Sequence, residues 1–309
     1  MVEGTSLQYL EEFLNAPDGH EIPVRLWRPE PCEQLLVISH GMAEYCERYA
    51  PLAEFLTEQN IAVLAINHRG HGMDCPDDDL GHYADDQGWQ KVIDDLHQAI
   101  EYGRKEIPNV KVSLLGHSMG SFISQAYIQQ YGQRLEHLIL SATNRIDRPK
   151  LHASNLLISA IKAFKGKRSI STFVTQTAFS PFNAKFKPNR TEFDWISRDE
   201  AVVDEYIADP FCGFDCTLGL WADFISGMLA IQPKSWPNDV KLHLLSGTSD
   251  PVGDMGKGVK LLAKQLKQSE KNLQSVKLYP QARHEIINES NREEVWQDIL
   301  TILKTGKTL

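Results

Sequence analysis

The chain has 309 residues, of which 42% are hydrophobic and 24% charged; this composition suits one large α/β domain or two smaller ones. Its formal net charge of −9 argues against nucleic acid as a main partner and against electrostatic docking on anionic lipid. Five scattered cysteines, an odd number, read as free thiols of a reducing compartment rather than as a disulfide framework.

In chain order, the first 30 residues read as a β-hairpin, with "LQYLEEFLNA" and "EIPVRLWRP" flanking the turn "PDGH". The start lacks a basic segment followed by an apolar core, and no run is long enough to span a bilayer, so a cytoplasmic chain is expected. "QLLVISHG" is a continuous apolar run suited to a buried strand, and "RYAPLAEFLTEQN" is a helix. "IAVLAINHRGHG" is a second buried strand ending in a Gly-rich loop, followed by the amphipathic helix "QGWQKVIDDLHQAIEYGRKE". The alternation continues through "KVSLLGHS", "MGSFISQAYIQQYG" and "LEHLILSAT". It resumes with "VKLHLLSGTSD", "GKGVKLLAKQLKQ", "SVKLYPQARHE" and "NREEVWQDILTILKT". Strands alternating with helices predict an α/β fold with a mostly parallel central sheet and helices on both faces.

Residues 145–236 break the pattern. They begin as a helix ("NLLISAIKAFK") and then read as irregular, with Pro181, Pro188, Pro210 and Pro233. Thirteen of the 27 aromatic residues fall in this stretch, under a third of the chain. An insertion of that length needs its own structure or a function. The expectation is a core of residues 1–144 and 237–309 with a helical cap, 145–236, walling an apolar pocket.

"LLGHSMGSF" is the segment that carries chemistry. Gly-x-Ser-x-Gly between a buried strand and a helix is a nucleophile elbow: the turn strains the serine, and Gly116 and Gly120 remove side chains that would collide. Ser118 is the candidate nucleophile. A serine needs a base, and the base needs a group that fixes its tautomer. Asp250 and His284 follow in the expected order, each at the end of a strand. Asp254 is a second candidate acid. His243 is a weaker candidate base, because it lies within a strand pattern. Backbone N–H groups of Met119, next after the serine, and Met42, after "LLVISHG", are the candidate oxyanion donors. Metal readings of His68 with His71, and of Cys212 with Cys216, lack a completing pair of ligands.

Through "SHGMAEYCERYAPLAEFL", "NHRGHG", "LLGHSMGSF", "SGTSDPVG" and "ARHEI", the chain resembles the α/β-hydrolase superfamily over nearly its whole length. Within it, the likeness is to the monoacylglycerol lipase and lysophospholipase branch. The resemblance implies an acyl-enzyme mechanism, a cap over an acyl tunnel and no cofactor, with Ser118, Asp250 and His284 at the triad positions. Ala43 and Tyr45 depart from that branch, where glycine and histidine are usual. The leading expectation is a hydrolase of single-chain lipid esters with a small-molecule acyl ester as its partner. Peripheral membrane contact through the cap stays open, as does the oligomeric state. An aminopeptidase, which would use a cap acid such as Asp194, Glu205, Asp209 or Asp223, and a thioesterase are the alternatives. A non-catalytic scaffold is the reading from another class.

Overall fold

A strand covered on both faces must be apolar at every position, and that is how most of these strands read. The computed structural model describes residues 9–308. Its strands are β1 (Leu10–Asn15), β2 (Glu21–Trp27), β3 (Gln34–Ser39), β4 (Ile61–Ile66), β5 (Lys111–His117), β6 (His137–Ser141), β7 (Lys241–Gly247) and β8 (Leu273–Tyr279). They form one sheet in the order β1-β2-β4-β3-β5-β6-β7-β8. β2 pairs antiparallel with β1 and with β4, and every other neighbouring pair is parallel. The hairpin turn closes through Ala16 N–H donating to the His20 carbonyl. The hairpin's residues 7 and 8, and most of the segment read for a leader, lie outside the described residues.

The helices are α1 (Ala50–Thr57), α2 (Gly88–Glu106), α3 (Met119–Tyr131), α4 (Arg148–Lys165), α5 (Thr172–Asn183), α6 (Glu200–Ala208), α7 (Leu218–Ala230), α8 (Lys257–Gln268) and α9 (Arg292–Thr305). Successive strand residues serve opposite faces. Leu35, Val37, Leu64, Leu114 and Leu138 pack with Leu96 of α2, Ile123 of α3 and Leu262 of α8. Leu36, Ile38, Val63, Leu115 and Ile139 pack with Leu52 of α1 and Ile299 of α9. Each such side chain contributes about 1.5–3 kcal/mol by burial, and a one-residue slip of register would exchange the two sets. None of the helices among the described residues is long and apolar enough to cross a membrane.

Residues 145–236 are more ordered than the sequence reading expects: α5, α6 and α7 follow α4. The prolines mark helix ends rather than an absence of helix. Pro181 sits in the last turn of α5, Pro188 and Pro210 lie in linkers, and Pro233 opens a short 3₁₀ turn. α7 is apolar over most of its surface because most of it is buried, against α2, α3 and α4, while Ser226 stays exposed. α4 and α5 bury only Ile158 and Val174 and leave Leu156, Phe164 and Phe173 exposed.

Several histidines are held neutral in this interior. Burial pushes His68 and His243 down to about 3 and His71 and His137 down to about 4. Burial also holds His40 and His117 well below the ordinary imidazole value. A folded-state pKa below the unfolded value of about 6.5 favours folding fully above pH 6.5 and progressively less as pH falls. Each group is worth on the order of 1.4 kcal/mol per pH unit within its window. His284, shifted the other way, changes stability only above pH 6.5, whereas the Glu44 carboxyl, raised to about 7 by burial, offsets one of them as pH falls. The melting temperature is therefore expected to fall steadily from pH 6.5 to 4 in thermal denaturation. A flat profile over that window would mean these imidazoles are not held neutral.

Candidate functional site

The chain leaves β3 for β4 on one side, while β5 lies on the other. At such a switch the loops after the two strands diverge and open a crevice at their carboxyl ends. Ser118 stands there, between β5 and α3, with φ 50° and ψ −115°. This strained conformation is held by its surroundings. The Ser118 N–H donates to the Ser141 carbonyl at 3.0 Å, and Ser121 donates to the Ser118 carbonyl from both its N–H and its hydroxyl. A Cβ on Gly120 would lie 2.0 Å from the Ser39 carbonyl oxygen and 2.4 Å from that of His40. One on Gly116 would lie 2.5 Å from the Gly120 oxygen. Both glycines are thus required by close backbone approach, and α3 can start directly against the end of β3.

His284 reaches Ser118 from the loop after β8. Its Nε2 is 2.9 Å from Ser118 Oγ, and its Nδ1 is 2.9 Å from Asp250 Oδ1. Asp250 is fully buried and also accepts from the Val252 N–H at 2.9 Å and from Ser246 Oγ at 3.2 Å. Gly247 brings these two loops together: a Cβ there would lie 1.9 Å from the Ala282 carbonyl oxygen. Burial opposes charge on His284, but the Asp250 carboxylate prevails and holds its pKa above the ordinary imidazole value. The ring packs against Trp195 of the insertion, with 4.9 Å between ring centroids. Asp254 is exposed and is not a partner of His284. His243 is buried in β7, bonded to Ser275 and His137.

The loop after β3 is fixed atom by atom. The His68 N–H donates to His40 Nε2 at 3.0 Å, so His40 carries its proton on Nδ1 and donates to the Gly41 carbonyl at 2.7 Å. In a trans peptide C=O and N–H point opposite ways, so anchoring that carbonyl turns the Met42 N–H away from His40. The Gly41 N–H donates to Glu44 Oε1 at 2.5 Å. The Ala43 carbonyl accepts from the Gly213 N–H and the Tyr206 hydroxyl, both of the insertion and both at 2.9 Å. The Met119 N–H belongs to the first residue of α3, where helix N–H groups are unpaired and the helix dipole favours negative charge.

A cavity of about 310 Å³ opens beside Ser118, Met42 and Met119. Phe122, Ile158, Phe179, Phe182, Trp221 and Phe224 are among its walls, and among the described residues Lys150 is the one charged group lining it. A second cavity of about 440 Å³ meets the same Met42, Phe179 and Trp195 and is lined by Gln176, Asn183, Asn189 and Glu192. Asp194, Glu205, Asp209 and Asp223 line neither. Among the described residues no group of three or more His, Cys, Asp or Glu is placed to hold a metal ion. His68 Nε2 lies 2.7 Å from Ser39 Oγ, and His71 Nδ1 lies 2.9 Å from the Arg69 carbonyl. Cys212 and Cys216 are buried.

Sequence reasoning missed His40, Trp195 and a buried ionic group formed by Glu44, Arg48 and Glu285. The spacing of Glu44 and Arg48, four residues apart after a strand, is the one signal that could have marked that group. A serine hydroxyl, an imidazole and a buried carboxylate in line can deprotonate the serine for attack on an acyl carbon.

Residues 30–291 match the protein family described as serine aminopeptidase, S33. The monoglyceride lipase of Rattus norvegicus is 28% identical to this chain, covering 90% of it and 84% of that protein. The monoacylglycerol lipase of Mycolicibacterium smegmatis is 24% identical, covering 91% and 92%. Among solved structures, a thermostable carboxyl esterase from Bacillus coagulans, in complex with glycerol, superposes with a TM-score of 0.88 at 24% identity, covering 96% of this chain and 98% of that one. The likeness of that structure establishes the α/β-hydrolase fold.

The elbow makes a direct prediction. Gly120→Ala is expected to destabilise the protein by about 3 kcal/mol or more, the upper end of overpacking costs, because backbone carbonyls cannot move aside. Chemical denaturation of the purified variant reads this; a loss under 1 kcal/mol would refute the close approach.

Proposed function

The chain belongs to the family described as serine aminopeptidase, S33, and on that premise we propose that it is a carboxylic ester hydrolase of single-chain lipids, of monoacylglycerol or lysophospholipid type. The cavity beside Ser118 is the observation that carries this reading. It is apolar, it sits at the small end of the roughly 300–1,000 Å³ range of ligand pockets, and it suits one acyl chain. The adjoining cavity, where polar side chains mix with aromatic ones, is then the place for the alcohol, with Met42, Phe179 and Trp195 at the junction. The family description also names aminopeptidases. A peptidase that removes N-terminal residues needs an anion at the substrate amine, and among the described residues no carboxylate lines the acyl-side cavity.

In the proposed mechanism His284 Nε2 takes the proton of Ser118 as its Oγ attacks the ester carbonyl carbon. Asp250 holds the imidazole by Nδ1 and stabilises its cationic form. The N–H groups of Met42 and Met119 receive the charge that develops on the carbonyl oxygen. His284 then protonates the departing alcohol. Water, deprotonated by the same nitrogen, attacks the acyl-enzyme, and Ser118 leaves with the proton returned. Residues 145–236 serve as the cap and 1–144 with 237–309 as the catalytic core. Tyr45 donates to Asp209 at 2.6 Å, so the hydroxyl that stands where relatives of this branch usually carry histidine is engaged by the cap.

Ser118→Ala is expected to lower kcat by around six orders of magnitude, and Asp250→Ala by less. Asp254→Ala should stay within about threefold of wild type. Assay with p-nitrophenyl esters from acetyl to palmitoyl, with an aminoacyl anilide alongside, decides the class. A Ser118-dependent optimum at medium or long chains supports the proposal. Faster anilide cleavage, or rates that decline steadily beyond acetyl, would reject it.

A further inference from the structure

Two loops of the site meet through one buried guanidinium. The loop after β3 supplies Glu44, whose Oε1 accepts from the Gly41 N–H at 2.5 Å and from the Tyr49 hydroxyl at 2.9 Å. The loop after β8 supplies Glu285, next in sequence to His284. Arg48 lies between them, with Nε 3.4 Å from Glu44 Oε2 and Nη2 bonded to Glu285. All three side chains are nearly excluded from solvent, at 3%, 11% and 6% exposure. The guanidinium also stacks over the Tyr206 ring at 4.9 Å, so the cap closes the remaining side. The Glu285 N–H donates to the Ile196 carbonyl at 2.8 Å.

Taking three charged groups out of water is expensive, and such a group is often worth no more to stability than an apolar replacement. Its geometry, however, links the loop of the Met42 N–H to the loop of His284. We propose that Glu44, held by Arg48 against Glu285, is a positioning residue that sets the Met42 N–H relative to Ser118 and His284. The proposal rests on the esterase reading above. Glu44 does not touch substrate; it acts through the Gly41 peptide. Two carboxylates share one guanidinium, and burial first, then Glu285, push the Glu44 carboxyl up to about 7. What matters at Gly41 is an oxygen at the right reach, because the contact there is one N–H donating to Oε1.

This separates two conservative variants. Glu44→Gln keeps the length and an acceptor oxygen. Glu44→Asp keeps the carboxylate but withdraws it by one methylene. With a medium-chain p-nitrophenyl ester, Glu44→Asp is expected to lower kcat about 30-fold with KM within threefold, and to slow labelling by a fluorophosphonate in parallel. Glu44→Gln keeps the oxygen on Gly41 but turns its amide N–H groups toward Arg48 in place of Oε2, so it should lower both by less than Glu44→Asp, about fivefold to tenfold. Arg48→Lys, which keeps the charge but loses the planar fork that reaches Glu44 from Nε and Glu285 from Nη2, gives an independent measurement, with kcat again reduced and KM unchanged. The proposal is overturned if Glu44→Asp and Arg48→Lys retain kcat within threefold, or if Glu44→Gln falls as far as Glu44→Asp. Ser118→Ala keeps the two readings apart: if it retains turnover the esterase reading fails, whereas a dead Ser118→Ala beside a normal Glu44→Asp removes only this inference.

Discussion

The arrangement of the site depends on how closely α3 approaches the end of β3. The carbonyl oxygens of Ser39 and His40 occupy the space where a side chain on Gly120 would stand. That approach forces the chain to reverse over Ser118 alone, which accounts for a positive φ at a residue with a side chain. It also places the first turn of α3 beside the loop after β3. The two N–H groups proposed to receive oxyanion charge come from these two segments, so one steric constraint sets Ser118 and the proposed oxyanion donors together.

Around this point, the interior separates one imidazole from the rest. His40 and His117 are buried beside the site and held neutral, and each is used as a hydrogen-bonding spacer. His284 is just as buried, yet it faces the carboxylate of Asp250 and is favoured as a cation. A base that gains a proton during reaction needs that difference, and the distinction lies in the partner, not in burial. Neutral neighbours also keep like charge away from the imidazolium.

The insertion does two jobs with different packing. Its segment from Trp195 to Gly213 is tied to the core: Trp195 packs on His284, Tyr206 and Gly213 hold the Ala43 carbonyl, and Tyr45 reaches Asp209. α4 and α5 wall the cavity beside Ser118 with one face and leave apolar residues exposed on the other. Sparse burial is the usual mark of elements that open at low cost. Part of the cavity wall thus comes from the insertion's least buried helices and part from the well-buried α7, while the loops of the site are braced by the segment from Trp195 to Gly213.

The strand and helix alternation, the elbow, and the order serine, aspartate, histidine were legible in the sequence because each is a local pattern. Continuous apolar runs, a 3.6-residue period and glycines around a serine need only neighbouring residues to be read. The helices of the insertion were less legible, since α7 is apolar over most of its surface and prolines near helix ends looked like breaks. Which aromatics face the cavity, which of two nearby acids meets His284, and the joining of Glu44 to Glu285 were decided by the tertiary structure alone. These depend on contacts between residues tens to hundreds of positions apart, such as Arg48 with Glu285, and such pairings exist only once the sheet has set the loops side by side. Sequence by itself determined the chemistry these residues can carry; the fold decided where each stands and with what partner.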